Sequence, residues 1–375
     1  MTSAAAGPDR AGARVRTPSA HSQHAPHSQH SQHAPRTPHA PGWRPGAEPG
    51  PDLRAEIDAA AAVLSAAGVA SPRADAEQLA AHATGEPRWR LALAGAMTPA
   101  ERELLHGLVA RRAARVPLQH LVGTVGFRYL TLTVGPGVFV PRPETETVVG
   151  WAIDTVRAAG WDRPVCVDLC TGSGAIALAL ADELPGARVY AVDSDPDALL
   201  WAKRNVVLTG RAITVHHADV GIDLSGGAAS RHGGTPGAAG VMAATEVLAD
   251  LLGRVDLVVS NPPYLCDDER GTLEPEVGDH DPPAALWGGP DGLAGVRAVA
   301  AVAADLLRDG GRLVIEHADR HGSAAPALLR THGRWDDVHD HQDLTGRDRF
   351  VTATCRPRGG PGPARGAAGT AGEER

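Results

Sequence analysis

From Leu53 onward, apolar residues recur at helical spacing. Leu53, Ile57, Ala60 and Leu64 share one face, and Gly68 offers a stop. Ser71-Pro72 supplies an N-cap and first turn for a second helix, Ala74 to Ala83. Thr98-Pro99 opens a third, with Leu104, Leu105, Leu108 and Val109 along one side. The pattern predicts a small helical domain over 51–115. Its arginines, Arg111, Arg112 and Arg115, read most simply as a solvated face. A face that contacts protein or RNA is the sharper reading.

Over 116–143 the period shortens. Phe127, Tyr129, Leu130, Leu132 and Val134 predict a β-hairpin, with Gly135-Pro136-Gly137 as a turn, so this stretch reads as a linker. Val138 to Val140 reads as a further strand ended by Pro141 and Pro143. Glu144 and Glu146 then fall in the first turn of a helix reaching about Ala159, where carboxylates complement the helix dipole.

From Pro164 the chain alternates short apolar runs with helical patterns. Strands are predicted at about 165–170, 188–193, 213–219, 255–260 and 311–317. Helices are predicted at about 174–184, 195–208, 291–308 and 321–332. Such alternation implies an α/β domain with a doubly wound, mostly parallel sheet over 144–356. Trp335 to Cys355 holds two strand-like runs with no long helix between them, which predicts an antiparallel hairpin at the sheet's end. Glycine-rich runs at about 221–246 read as a flexible insertion between the third and fourth strands of this sheet. Residues 1–50, with six His and eight Pro, and the tail 357–375 are expected to be disordered.

Charge and cysteine content narrow the function classes. The net charge is −8; residues 1–50 carry +3, which leaves −11 on the rest. An acidic body argues against stable nucleic-acid binding and suits a basic protein partner. Cys166, Cys170, Cys266 and Cys355 form no C-x-x-C pair and no zinc spacing, so no metal site is expected and a reducing cytoplasm is. No apolar run approaches the roughly 18 residues of a membrane span, and the first residues contain no apolar signal core.

Chemistry concentrates at three predicted strand ends. The first strand ends in Asp168-Leu169-Cys170-Thr171-Gly172-Ser173-Gly174, where two glycines let a ligand approach the backbone. The second ends in Asp193, 19 residues beyond Gly174, suited to ribose hydroxyls. The third ends in Asp219. The loop lacks both the third glycine of a dinucleotide fingerprint and the G-K-[ST] of a P-loop. A nucleoside without a polyphosphate fits better, and S-adenosylmethionine is the common one. Asp193 then meets the ribose, Asp219 lies near the adenine, and Asp168 meets the ammonium group.

The fourth strand ends in Ser260-Asn261-Pro262-Pro263-Tyr264. Two prolines make the chain leave the sheet in one stiff conformation. The Asn261 side-chain oxygen and the Pro262 carbonyl form a pair of acceptors for the two N–H groups of an amide or aromatic amine. Held that way, a nitrogen whose lone pair is delocalised is favoured in its nucleophilic geometry. Tyr264 offers a ring to pack over a planar group. The residues predict an amino-group methyltransferase and leave glutamine, adenine and guanine open as acceptors.

Further motifs accompany these. They are Pro117-Leu118-Gln119-His120-Leu121-Val122-Gly123, Gly137-Val138-Phe139-Val140-Pro141-Arg142-Pro143-Glu144-Thr145-Glu146 and Ala285-Leu286-Trp287-Gly288-Gly289-Pro290-Asp291-Gly292-Leu293. Gly311-Arg312-Leu313-Val314-Ile315-Glu316-His317 and Asp343-Leu344-Thr345-Gly346-Arg347-Asp348-Arg349 follow. With this ordered set, about residues 51–355 resemble the release factor glutamine N5-methyltransferases. The resemblance implies a helical substrate-recognition domain joined by a hairpin to a Rossmann-like class I methyltransferase domain. It implies methylation of the glutamine in the Gly-Gly-Gln loop of class I peptide chain release factors. Cys170, Thr171, Gly172, Ser173, Gly174, Asp193 and Asn261 are implied to contact S-adenosylmethionine, and Asn261, Pro262, Pro263 and Tyr264 to hold the glutamine. Phe139 and Pro141 to Glu144 are implied near the same pocket. Residues 1–50 and about 221–246 have no counterpart in that pattern, and Val220 stands where an aromatic can cover adenine. Two other readings compete. Asn-Pro-Pro-Tyr is shared with DNA and ribosomal RNA amino-methyltransferases, and a catalytically silent binding module can keep the same fold.

Overall fold

The computed structural model describes residues 52–224 and 240–358. The His/Pro-rich tract 1–50, residues 225–239 of the glycine-rich insertion and the tail from 359 lie outside the described residues.

The helical segment comprises α1 (Leu53–Ala66), α2 (Pro72–Thr84) and α3 (Pro99–Ala113), followed by the short α4 (Leu118–Val122). Thr98 starts α3 with a reciprocal cap. Its hydroxyl accepts from Glu101 N at 3.3 Å, and Glu101 Oε2 accepts from Thr98 N at 2.7 Å. Leu53, Leu64, Leu79 and Leu105 meet in a core of their own. The expectation of a solvated arginine face fails for two of its three residues. Arg112 is only 6% exposed and is bonded to Asp75 and Glu276, while Arg115 is paired with Glu274 and Glu276. Acidic partners more than a hundred residues away reach this face, and local spacing gives no sign of them.

The hairpin consists of β1 (Thr124–Phe127) and β2 (Leu130–Thr133). It turns at Arg128-Tyr129, not at Gly135–Gly137 as expected. Arg128 takes a left-handed φ of 50°, and its guanidinium pairs with Glu183 and donates to the Glu146 carbonyl. Long-range pairing therefore accompanies the turn at a residue that turn chemistry does not favour. Val138–Val140 forms no strand; the flanking prolines at 136, 141 and 143 lack donors to anchor one.

The second half follows as α5 (Pro143–Ala158), β3 (Val165–Leu169), α6 (Ala175–Glu183), β4 (Arg188–Asp193), α7 (Pro196–Thr209) and β5 (Ile213–His217). Next come α8 (Ala244–Val247), β6 (Val255–Ser260), α9 (Pro275–Gly278) and α10 (Pro283–Leu286). The chain continues through α11 (Ala294–Leu306), β7 (Leu307–Glu316), α12 (Ala324–His332), β8 (Trp335–Gln342) and β9 (Asp348–Cys355). The seven-stranded sheet has the order β5-β4-β3-β6-β7-β9-β8. Its first five strands are parallel, and β9 and β8 close the edge as an antiparallel hairpin. Both faces are covered. Val167, Leu169 and Val258 pack with α11, while Cys166, Leu257 and Val259 pack with α5 and α6.

Several boundaries differ from expectation, three of them instructively. The helix expected to reach 308 stops at Leu306, because Leu307 already pairs with Val255 before a bulge at Gly310 (φ 74°). The helix expected from 321 starts at Ala324, after a separate 3₁₀ turn, Asp319–His321. The expected flexible insertion is too long at its far end. Asp219 N donates to Met242 O at 2.9 Å, Ala244 N donates to Asp219 O at 2.8 Å, and α8 begins there. Among the described residues, no helix is long and apolar enough to cross a membrane.

Candidate active site

Strand order reverses at β3, which lies between β4 and β6. Loops leaving the carboxyl ends of β3 and β6 therefore flank one crevice, the usual ligand position in open α/β sheets. Ser260 Oγ donates to Leu169 O at 2.6 Å and ties the two strand ends together.

The loop after β3 is tightly bent. Cys170, Gly172 and Gly174 have φ of 61°, 56° and 83°. A left-handed cysteine carries backbone strain, which the surroundings hold in place. Thr171 N donates to Val192 O at 3.0 Å, and Gly172 N to Asp193 Oδ2 at 2.8 Å. Asp168 accepts from Thr171 Oγ1 at 2.6 Å and from Ala177 N at 3.1 Å. Burial pushes the Asp168 carboxyl up to about 7 and raises that of Asp193 as well.

A cavity of ≈ 350 Å³ opens above this loop, within the usual range for small-ligand sites. It brings together Cys170, Thr171, Gly172, Ser173, Asp193, Asn261, Pro263 and Tyr264. Four residues named from the sequence stand behind this lining. Asp168 is buried under the loop. Gly174 packs against α7, where a Cβ would lie 3.4 Å from that of Ala202. Asp219 accepts from Gly221 N at 2.7 Å while its neighbours Ala218 and Val220 face the cavity. Pro262 is buried against Gly295 of α11. A Cβ at Gly295 would fall 2.7 Å from Pro263 O and 2.8 Å from Pro262 Cβ, so Gly295→Ala must displace the turn that carries Asn261. We expect that variant to lose roughly tenfold or more in kcat while remaining folded, as steady-state kinetics and circular dichroism will report.

The polar side of the cavity rests on a buried network. Asn261 Nδ2 donates to Thr145 Oγ1 at 3.2 Å, and Tyr264 OH donates to Glu316 Oε1 at 3.3 Å. Thr145 comes from the first turn of α5 and Glu316 from the last residue of β7. Burial pushes Glu316 up to about 7 and raises the Tyr264 phenol. Opposite the sheet, Leu273, Val277, Ala285 and Leu286 form an apolar wall. Leu265 N donates to Leu286 O at 2.9 Å and Gly288 N to Leu265 O at 2.8 Å, so the wall is joined back to the turn after β6. Arg142 pairs at 2.8 Å with Asp281, whose carboxyl burial pushes up to about 6.

The sequence places Thr145, Glu316, Ala285 and Leu286 within motifs but gives none of them a role, and it gives no sign of Leu273 or Val277. A carboxylate directly after the buried apolar run Leu313-Val314-Ile315 is the available signal for Glu316. Leu273 and Val277 carry no local signal, since they are ordinary apolar residues in a turn and a short helix.

The family model described as PrmC N-terminal domain matches residues 57–123, and that described as Methyltransferase small domain matches 153–231. A release factor glutamine methyltransferase of Mycolicibacterium smegmatis is 48% identical over 302 residues, covering 80% of this chain and 97% of that protein. One from Streptomyces coelicolor is 47% identical with the same coverage. One from Mycobacterium tuberculosis is 45% identical over 308 residues, covering 80% of this chain and 91% of its own length.

Proposed function

The chain belongs to the release factor glutamine methyltransferases, and from that membership we propose how its cavity serves the reaction. The protein transfers a methyl group from S-adenosylmethionine to the side-chain amide nitrogen of the glutamine in the Gly-Gly-Gln motif of class I peptide chain release factors. It works in the cytoplasm, where those factors act. Residues 51–115 form the substrate-recognition domain, 116–143 the linker and 144–356 the methyltransferase domain.

S-adenosylmethionine supplies an electrophilic methyl group on a sulfonium. The residues present suit it. Asp168 Oδ1 is buried without a hydrogen-bond partner among the described residues, an acceptor left for an ammonium group. Asp193 remains available to ribose hydroxyls at the cavity edge. Ala218, Val220 and Ile222 give an aliphatic surface for a base, in place of an aromatic. Cys170 to Gly174 form the bend that lets the cofactor approach the backbone.

The observation that carries the acceptor reading is the Asn261–Thr145 bond. It engages the Asn261 nitrogen and leaves its oxygen for the substrate N–H. The second acceptor in this reading is the Pro262 carbonyl, which must come forward from behind the lining as the glutamine enters, and Tyr264, with Pro263, covers the plane of the amide. Two fixed acceptors favour the pyramidal nitrogen of the transition state, so binding strengthens as the methyl group is transferred. The amide nitrogen sheds one proton to water as the new N–C bond forms.

Incubation with labelled S-adenosylmethionine and, separately, release factor, DNA or ribosomal RNA tests this reading. Label on the Gly-Gly-Gln glutamine is expected; label on nucleic acid alone overturns it. Removal of residues 1–50, which hold none of the site residues, is expected to leave kcat/KM for release factor unchanged within about twofold.

A further inference from the structure

S-adenosylmethionine carries an ammonium group and a carboxylate on one carbon, and only the ammonium has a partner so far, the free Oδ1 of Asp168. A carboxylate taken out of water also needs a cation or several N–H donors. Its surroundings otherwise repel it. Asp193 and Asp195 line the cavity, and Asp168 lies buried under the loop. Among the described residues that line the cavity, Arg142 is the one cationic side chain.

Arg142 also stands at the appropriate end. It precedes α5, whose Thr145 accepts from Asn261 Nδ2 at 3.2 Å. Asn261 follows Ser260, whose hydroxyl donates at 2.6 Å to the carbonyl of Leu169, the residue after Asp168. The aliphatic surface for the base, Ala218, Val220 and Ile222, follows β5, on the opposite side of β3 from β6.

Two contacts fix the guanidinium. Its Nη2 donates to Asp281 Oδ2 at 2.8 Å, and its Cζ lies 5.0 Å from the centroid of the Phe139 ring. Asp281 is only 4% exposed, while the Arg142 side chain keeps 31% exposure. The bond to Asp281 engages one N–H of a planar fork that has five. A fork held at one edge offers its other donors to a second carboxylate, whose two oxygens match its shape. The substrate amide makes a different demand, since its N–H groups need acceptors and a guanidinium has none.

We propose that Arg142 is a cofactor-binding residue that receives the α-carboxylate of S-adenosylmethionine, with Asp281 and Phe139 as the residues that position its guanidinium. The proposal rests on the reading of this cavity as the S-adenosylmethionine site and adds recognition of the cofactor's second charge. Asp168 and Arg142 together hold the amino-acid end, and the base lies on the aliphatic side. Asp281 belongs to the segment that carries Val277 and Ala285, so the same guanidinium ties the apolar wall to the bound cofactor.

Calorimetric titration of the full chain without release factor tests this. It compares S-adenosylmethionine with its decarboxylated form, which keeps the amine and lacks the carboxylate. The wild type is expected to bind the decarboxylated form roughly 10- to 100-fold more weakly, the range for hydrogen bonds to a charged group. Arg142→Gln is expected to lose a similar factor for S-adenosylmethionine and to bind the two forms within about threefold of each other. That convergence is the signature of a residue and a ligand group that act as one pair. Arg142→Lys, which keeps the charge without the fork, is expected to fall between the two, and circular dichroism checks that each variant is folded.

A wild type that binds both forms within about threefold overturns the proposal, and this arm needs no variant. Arg142→Gln that weakens both forms equally and still prefers S-adenosylmethionine by about tenfold or more also overturns it, since loss of the Asp281 pair alone would act that way. Unchanged cofactor affinity in Arg142→Gln, with a raised KM for release factor, assigns the guanidinium to the peptide loop and overturns it too. Discrimination as expected in an enzyme that leaves release factor unlabelled sinks the substrate reading alone.

Discussion

Alanine at position 261 is expected to lower kcat by about 10²-fold or more while changing the affinity for S-adenosylmethionine by less than about threefold. The asymmetry follows from where Asn261 sits. It leaves the last residue of β6, on the acceptor side of the crevice, while the loop after β3 keeps its own support from Val192 O, Asp193 and Asp168. Truncation removes an acceptor that is worth most when the substrate nitrogen becomes pyramidal. A single positioned polar group of this kind contributes on the order of 3–4 kcal/mol to the transition state. The loss therefore belongs in kcat, not in cofactor binding. Single-turnover kinetics together with calorimetric titration of the cofactor separate the two. Turnover within a few-fold of wild type removes Asn261 from the mechanism.

The same strand ends explain how much of this site could be read from the chain. β3 is buried on both faces and β6 at all but Asp256, so each appears in the sequence as a short apolar run followed by polar or glycine residues. Parallel strands in a covered sheet leave that signature, and the ligand loops lie at its downstream edges. The boundary between α11 and β7 left no such mark. Leu306 and Leu307 are both apolar and both buried, and only the pairing of Leu307 with Val255 ends the helix there. The hairpin turn was hidden for a related reason. Gly135-Pro136-Gly137 has turn chemistry, but the reversal occurs at Arg128, whose guanidinium is bound by Glu183 on another helix.

Site residues divide along the same line. Residues acting through backbone shape, such as Gly172 and Gly174, declare themselves by type. Thr145 and Glu316 are separated from Asn261 in the chain and acquire meaning only when α5, β6 and β7 meet. The acidic partners of Arg112 and Arg115 are a further case, since Glu274 and Glu276 lie on the far side of the methyltransferase motifs.

That arginine cluster carries the second large effect. Glu276→Ala is expected to destabilise the protein by about 3 kcal/mol, because it leaves the buried Arg112 without one of its two carboxylate partners. Arg112 Nη2 lies 2.8 Å from Glu276 Oε1, and Arg115 Nη2 lies 2.5 Å from Oε2. Burial alone would raise the Glu276 carboxyl, but hydrogen bonds from Arg115 and Arg112 outweigh it and hold the group down at about 2. A carboxylate whose folded pKa is depressed adds stability above its unfolded value of about 4.3 and loses it as pH falls toward the folded one. The stability difference between wild type and Glu276→Gln is therefore expected to be full at pH 6 and to shrink between about pH 5 and pH 2. Glu274→Ala is the control, since that side chain is 77% exposed and its pairing is expected to contribute less than about 1 kcal/mol. Urea unfolding at several pH values measures all three variants, and equal effects at 274 and 276 would remove burial as the cause. Function is expected to follow stability here. Val277, the next residue, lines the cavity, and the wall it belongs to is held on the helical domain by these arginines. Losing the clamp at 276 is expected to lower kcat/KM for release factor under conditions where the variant is still fully folded, because the wall facing Asn261 is then no longer fixed.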